Sequence, residues 1–231
     1  MLNAVPIVMV KNEEYYIAQV LTVLATAFGT ILVADTGSTD KTCELVRSVP
    51  QARLFVWPTI DTTQLGKTRQ RLCEEGRKLG FGWAFQCDGD ELYYPDALER
   101  IVAQDLPEGK NVGMTAMVTV DKDEQGQMWA MSDNFSRVAV YPLNTGWHSD
   151  YPYEAPNVFD DHGEDNRYYY TGETELGVHA LHLHRLVRSP RDKDVMLREK
   201  KRLKFSMQDQ QHHRVKMIER WPIETSDTTE D

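Results

Sequence analysis

The sequence predicts an α/β protein built on a doubly wound, mostly parallel sheet with helices on both faces. Two observations carry this expectation. Short apolar runs alternate with stretches of helical periodicity through the first hundred residues, and strand-like runs end in acidic or turn-forming residues. A third observation, two adjacent strand patterns after residue 110, adds antiparallel strands and makes the sheet mixed.

The elements follow in order. "AVPIVMV", Ala4 to Val10, is a short continuous apolar run; with no basic region before it and "KNEE" directly after, it reads as a buried strand, not a leader. Ile17, Val20, Leu21 and Leu24 then recur at helical spacing. "TILVA" is a second strand, "DTGSTD" a loop, and "KTCELVRSV" a helix that Asp40 or Thr39 can cap. "RLFVW" is a third strand, Leu65 to Leu79 a third helix with Leu72 and Leu79 on one face, and "WAFQC" a fourth strand. Pro95 suits the first turn of the helix "PDALERIVA". "NVGMTAMVTV" and "QMWAM" form a hairpin around "DKDEQGQ", expected at the edge of the sheet. Asn144 to Thr174 reads as irregular loop, "VHALHLHRLV" as a final strand, and Asp192 to Gln211 as a charged helix carrying Met196, Leu203 and Met207.

With 231 residues, 27% charged and 41% hydrophobic, the chain is expected to form a single globular domain over 1–205, with a tail over 206–231 whose end frays. No apolar run approaches the ~20 residues that span a bilayer, so a cytoplasmic setting is the default expectation. Cys43, Cys73 and Cys87 are odd in number and widely spaced, which fits core positions better than disulfides or a zinc knuckle. The net charge of −10 is uneven: Arg185 to Arg220 holds twelve Lys or Arg against five Asp or Glu, leaving −17 for the rest. Overall acidity argues against nonspecific nucleic-acid binding, while the basic stretch is either a solvated face or a surface for a phosphate-bearing partner.

Ligands of open α/β sheets gather at the carboxyl ends of the strands. Here those ends carry Asn12, Glu13 and Glu14, then Asp35, then Asp88, Asp90 and Glu91. No glycine-rich phosphate loop of the P-loop or dinucleotide type is present. At about 4 Å two like charges cost roughly 1 kcal/mol in water and roughly 4 kcal/mol near a protein surface. The cluster is therefore either solvated or meant for a cation. Asp-x-Asp occurs three times, but Asp121/Asp123 fits a hairpin turn and Asp192/Asp194 a helix start. Only Asp88/Asp90 follows an apolar strand, the setting in which a hard cation takes one or two carboxylates and completes its shell with phosphate and water.

"MVKNEEYYI", "ILVADTGSTDKT" and "WAFQCDGDELYYPDAL" together resemble the successive signature segments of family 2 type glycosyltransferases. The resemblance covers roughly the first hundred residues. It implies the GT-A (nucleotide-diphospho-sugar transferase) fold, with 1–100 as the donor-nucleotide half and 101–205 as the acceptor half. It further implies transfer of a sugar from a nucleoside-diphosphate sugar, with UDP-sugar favoured, to an acceptor hydroxyl, with inversion as the family's usual outcome and Mn²⁺ or Mg²⁺ bridging the diphosphate. Val10, Asn12 and Glu13 would line the nucleoside pocket and Asp35 would bind base or ribose. Arg69 stands at the family's Arg position, with Gln70 where Asn is often found. Asp88 would meet ribose and metal-bound water, and Asp90 the metal.

"SRVAVYPLNTGWHSDYPYEAP" resembles a family segment with an Arg-bearing strand ahead of a Trp and an acidic residue, which makes Glu154 the candidate base with Asp150 behind it. "HLHRLVRSP" resembles a segment whose histidine completes the metal or diphosphate site. On a strand His182 and His184 share a side, and they are either ligands or packed residues. Arg185 and Arg188 either contact diphosphate oxygens or lie on the surface. Tyr168, Tyr169, Tyr170 and Trp147 form an acceptor platform or core. The acceptor is left open among a glycan, a lipid-linked precursor and a modified nucleic-acid base. The competing classes are a non-catalytic nucleotide-binding scaffold and a nucleotidyltransferase.

Overall fold

The computed structural model describes residues 2–58, 65–122, 128–145, 147–148, 155–156, 166–171, 178–191 and 213–214. The alternation read from the sequence is present. Strand β1 (Ala4–Val10) leads to helix α1 (Ile17–Ala27), β2 (Ile31–Asp35) to α2 (Thr42–Arg47), and β3 (Ala52–Val56) to α3 (Leu65–Lys78). Next come β4 (Trp83–Asp88), β5 (Glu91–Tyr93), α4 (Pro95–Ala103), β6 (Val112–Lys122) and β7 (Met128–Pro142). The short strands β8 (Trp147–His148), β9 (Ala155–Pro156), β10 (Arg167–Tyr169), β11 (Ala180–His182) and β12 (His213–Arg214) follow.

Among the described residues the main sheet has ten strands, with the path β3-β2-β1-β4-β7-β6-β11-β5; β10 joins β6 and β12 joins β7. From β3 to β4 the strands run parallel, β7 pairs antiparallel with β4, and β6 antiparallel with β7. This is the mixed, mostly parallel, doubly wound α/β sheet expected from the sequence. Helices cover both faces: α1, α2 and α4 contribute to one apolar cluster, and α3 to the other, where Leu72 and Cys73 pack with Val5, Ile7 and Leu32. No helix among the described residues is long and apolar enough to cross a membrane.

Packing rather than capping holds the helices. α1 has no side-chain cap, yet Ile17, Val20, Leu21 and Leu24 are all buried, each contributing about 1.5–3 kcal/mol. At α2 the N-cap is Lys41 and carries no side-chain cap, contrary to the expectation for Asp40 or Thr39; Asp40, one residue before it, accepts the Thr42 N–H at 2.9 Å. Pro95 opens α4. α3 stops in a Schellman turn: Gly80, at φ +85°, donates to Arg77 O, and Phe81 donates to Gly76 O.

Several expectations need correction. The β6/β7 hairpin is not at the edge: β7 lies against β4, and β11 and β5 extend the sheet beyond β6. Hydropathy registers that both faces of a strand are covered, not which strand is its neighbour. Leu79 is 40% exposed past the end of α3, so the helical face ends at Leu72 and Gly76. Within the stretch read as loop, β8 and β9 pair with each other and β10 adds to β6. The strand in "VHALHLHRLV" is only three residues long, and β12 lies later in the chain. Cys73 and Cys87 are buried, whereas Cys43 is half-buried. The expected helix over 192–211 lies outside the described residues.

Candidate active site at the carboxyl edge of the sheet

The parallel strands β1, β2 and β4 deliver their carboxyl ends to one rim. The loops after β1 and β2 are sewn together by side chains. Asn12, in the left-handed region at φ 56°, donates its N–H to Ser38 Oγ at 2.9 Å and accepts the Thr39 N–H on Oδ1 at 2.9 Å. Glu13 N–H donates to Thr42 Oγ1 at 2.8 Å, and Lys41 N–H to Glu14 Oε2 at 2.9 Å. Asp35 is buried, with its carboxylate accepting the N–H groups of Gly37 and Ser38, so it shapes the loop foreseen as a base or ribose contact. Val10 is buried as well, its Cγ1 pressed toward Gly89.

The acidic turn after β4 is neither solvated nor bare. Asp88 has a guanidinium on each oxygen: Arg69 from α3 meets Oδ1 at 2.5 Å, and Arg137 from β7 meets Oδ2 at 3.0 Å. Arg137 also pairs with Oε1 of Glu91, whose side chain is fully buried, while Glu91 Oε2 accepts the Asp88 N–H at 2.8 Å. Burial opposes ionisation of Asp88, but Arg137 and Arg69 outweigh it and hold its pKa well below the ordinary carboxylate value. Gly89 is required here, since a Cβ would lie 2.8 Å from Glu13 Cγ and 2.9 Å from Val10 Cγ1.

Asp90 faces a different set of groups. The segment after β11 crosses the rim: Leu183 N–H donates to Asp90 O at 2.8 Å, and Tyr15 N–H donates to Arg188 O at 3.0 Å. Arg188 Nη1 then reaches Glu13 Oε1 at 2.7 Å and Asp90 Oδ2 at 3.2 Å. His182 Nε2 lies 3.9 Å from the same Asp90 oxygen, and the His182 and His184 rings stand 4.1 Å apart. Burial lowers the His182 pKa from 6.5, with Asp90 pulling the other way, which favours the neutral imidazole a metal needs. Its Nδ1 is buried with no hydrogen-bond partner among the described residues.

The structure therefore gathers Glu13, Arg69, Asp88, Asp90, His182, His184 and Arg188 on one rim. Arg185 is directed elsewhere, 3.7 Å from Asp121 on β6. Gln70 is exposed on α3. Tyr169 is exposed, whereas Tyr170 is buried against Gly113, where a Cβ would come within 2.6 Å of the ring. Glu154 and Asp150 lie outside the described residues, as does the side chain of Trp147. Sequence reasoning missed the part played by Arg137. The available signal was a lone Arg heading the apolar run Val138 to Tyr141, because a charge entering a core needs a partner.

The Asp90 carboxylate oxygen beside the His182 imidazole nitrogen is a donor pair of the kind hard or borderline cations take. Among the described residues no group of three or more His, Cys, Asp or Glu is spaced to hold an ion by itself.

No protein-family model matches the chain, and no curated protein matches it by sequence. Solved structures do resemble it in part. A 4-diphosphocytidyl-2C-methyl-D-erythritol synthase aligns at 13% identity and a TM-score of 0.44, over 61% of this chain and 75% of that one. Glucosyl-3-phosphoglycerate synthase from Mycobacterium tuberculosis, solved with Mn²⁺, uridine diphosphate and phosphoglyceric acid, aligns at 17% identity and a TM-score of 0.36, over 50% of this chain and 42% of that one. A mycobacterial protein aligns at 16% identity and a TM-score of 0.39, over 50% of this chain and 41% of its own. The chain thus spans about two fifths of the two mycobacterial structures, and these are likenesses of part of the frame from which no activity follows.

Proposed function

We propose that the chain is a metal-dependent glycosyltransferase of family 2 type, moving a sugar from a nucleoside-diphosphate sugar, with UDP-sugar favoured, to an acceptor hydroxyl with inversion. The observation that carries the reading is the approach of His182 to Asp90 at the strand-end rim, with the His184 ring against that of His182. Asp90 and His182 would hold Mn²⁺ or Mg²⁺, with His184 beside them, and the remaining ligands would come from water and the diphosphate. The bound ion would neutralise charge growing on the departing diphosphate.

The chain's own residues divide the other tasks. The sewn loops carrying Val10, Asn12, Glu13 and Asp35 would present a preformed nucleoside site, and Arg69 and Arg137 would keep Asp88 ionised and oriented toward ribose. The acceptor oxygen attacks the anomeric carbon, the bond from that carbon to the diphosphate oxygen breaks, and the acceptor proton passes to Glu154, with Asp150 behind it. The acceptor is a glycan, a lipid-linked precursor or a modified nucleic-acid base.

A second reading, a nucleotide-binding protein without catalysis, draws on one observation: guanidinium groups already neutralise the acidic turn. One assay separates the two. The protein is incubated with a panel of nucleoside-diphosphate sugars and Mn²⁺, and donor binding and slow donor hydrolysis are measured beside Asp90→Ala. The transferase reading expects metal-dependent hydrolysis that the variant loses. Binding without turnover supports the second reading, and no binding to any donor overturns both.

A further inference from the structure

Asp90 Oδ2 has two neighbours of different kinds, the Arg188 guanidinium at 3.2 Å and the His182 imidazole at 3.9 Å. The oxygen placed to take a metal is thus already taken by a cation that belongs to the chain. We infer that Arg188 is the resident counter-ion of the cation site: it holds the place of the divalent ion on Asp90 and gives up that oxygen when the ion binds. This rests on the reading of Asp90 as a metal ligand.

Three features make the exchange workable. First, Arg188 Nη1 also reaches Glu13 Oε1, at the shorter distance of 2.7 Å, so it keeps a carboxylate partner when it leaves Asp90. Second, the backbone around it is anchored without help from the guanidinium. Leu183 N–H binds Asp90 O, Tyr15 N–H binds Arg188 O, and Ser189 Oγ contacts Glu14 Oε1 at 3.4 Å, so the side chain can swing while the segment stays in place. Third, exchanging one cation for another leaves no buried carboxylate uncompensated at any stage, whereas an empty site would strand Asp90 and Glu13 together, both buried. Asp88 offers no such exchange, because α3 and β7 each hold one of its oxygens.

The test uses the full chain and Mn²⁺ alone, with free Mn²⁺ read from its electron paramagnetic resonance signal near neutral pH. Removing a competing charge favours the metal, so Arg188→Gln is expected to bind Mn²⁺ at least about tenfold more tightly than the wild type. Mn²⁺ should also raise its melting temperature more than it raises that of the wild type. A residue that merely braced the rim would do the opposite, since its loss would loosen the site. Unchanged or weaker Mn²⁺ binding in Arg188→Gln overturns the inference. Should that variant fail to fold, Arg188→Lys serves instead: a single compact ammonium cannot span Glu13 and Asp90 as the guanidinium does, so tighter binding is again expected, and no change is again fatal. Asp90→Asn run in parallel separates the two levels of argument. If the wild type binds Mn²⁺ and Asp90→Asn does not, the site reading stands and Arg188 alone is on trial. If the two behave alike, the site reading fails and takes the counter-ion with it.

Discussion

Asp88 and Asp90 are two residues apart in one turn, yet they live in different electrostatic neighbourhoods. Asp88 is clamped by guanidinium groups from a helix and a central strand, elements fixed by the core. Asp90 leans on one arginine from a crossing segment and on a nearby imidazole. The difference teaches that an Asp-x-Asp pattern is not one electrostatic unit: its first carboxylate is held by two core elements, and its second by a single crossing segment.

The hardest blow to the comparison is Arg137→Met. It strips a cation from fully buried Glu91 as well as from Asp88, and breaking a buried pair in this way costs about 3–5 kcal/mol; urea denaturation should show the loss, and a midpoint within experimental scatter of wild type would refute the scaffold role. Next comes the paired measurement of Asp88→Asn and Asp90→Asn. The first removes the carboxylate that Arg69 and Arg137 share and is expected to cost about 3 kcal/mol, whereas the second leaves Arg188 on Glu13 and should cost about 1 kcal/mol. Equal losses would erase the distinction.

Asp88 also shapes the acid limb of stability. Asp88 has a folded pKa below its unfolded value of about 3.9. The stability it contributes is intact above that value and drains away as pH falls toward the folded pKa. Asp88→Asn should flatten this acid limb, as followed by melting temperature against pH. Gly89→Ala, which pushes a methyl toward Glu13 and Val10, should cost about 1–3 kcal/mol through overpacking. It should also weaken Mn²⁺ binding by displacing the turn.

The smallest effect concerns His179, away from the turn. Burial lowers its pKa from 6.5, and its Nδ1 accepts the Ala116 N–H at 2.9 Å. The folded state then binds fewer protons than the unfolded chain, so stability falls as pH drops below 6.5, by at most about 1.4 kcal/mol per pH unit. His179→Gln should reduce that slope without altering the acid limb of Asp88.

Much of the frame was legible because one-dimensional patterns encode it. Ile17, Val20, Leu21 and Leu24 mark a buried helical stripe, and "AVPIVMV" and "WAFQC" mark strands covered on both faces. The place of the hairpin was not legible, since β7 pairs with β4 through contacts more than fifty residues apart in sequence. The acidic turn was legible as a concentration of charge, and His182 does lie beside Asp90, but alternation along a strand did not place His184, which sits in the turn after β11. The neutralisation of the acidic turn was not legible, because Arg69, Arg137 and Arg188 arrive from three separate elements and only the fold brings them together. Asp35 shows the reverse case: its position at a strand end was plain, while its engagement by Gly37 and Ser38 N–H groups depends on loop geometry.

The stitching of residues 12–14 to residues 38–42 has an evolutionary consequence. Each loop supplies donors that the other must accept, so neither can drift alone without stranding a partner. A graft from a relative with a different ligand preference should therefore succeed when both loops travel together and fail when only one is exchanged.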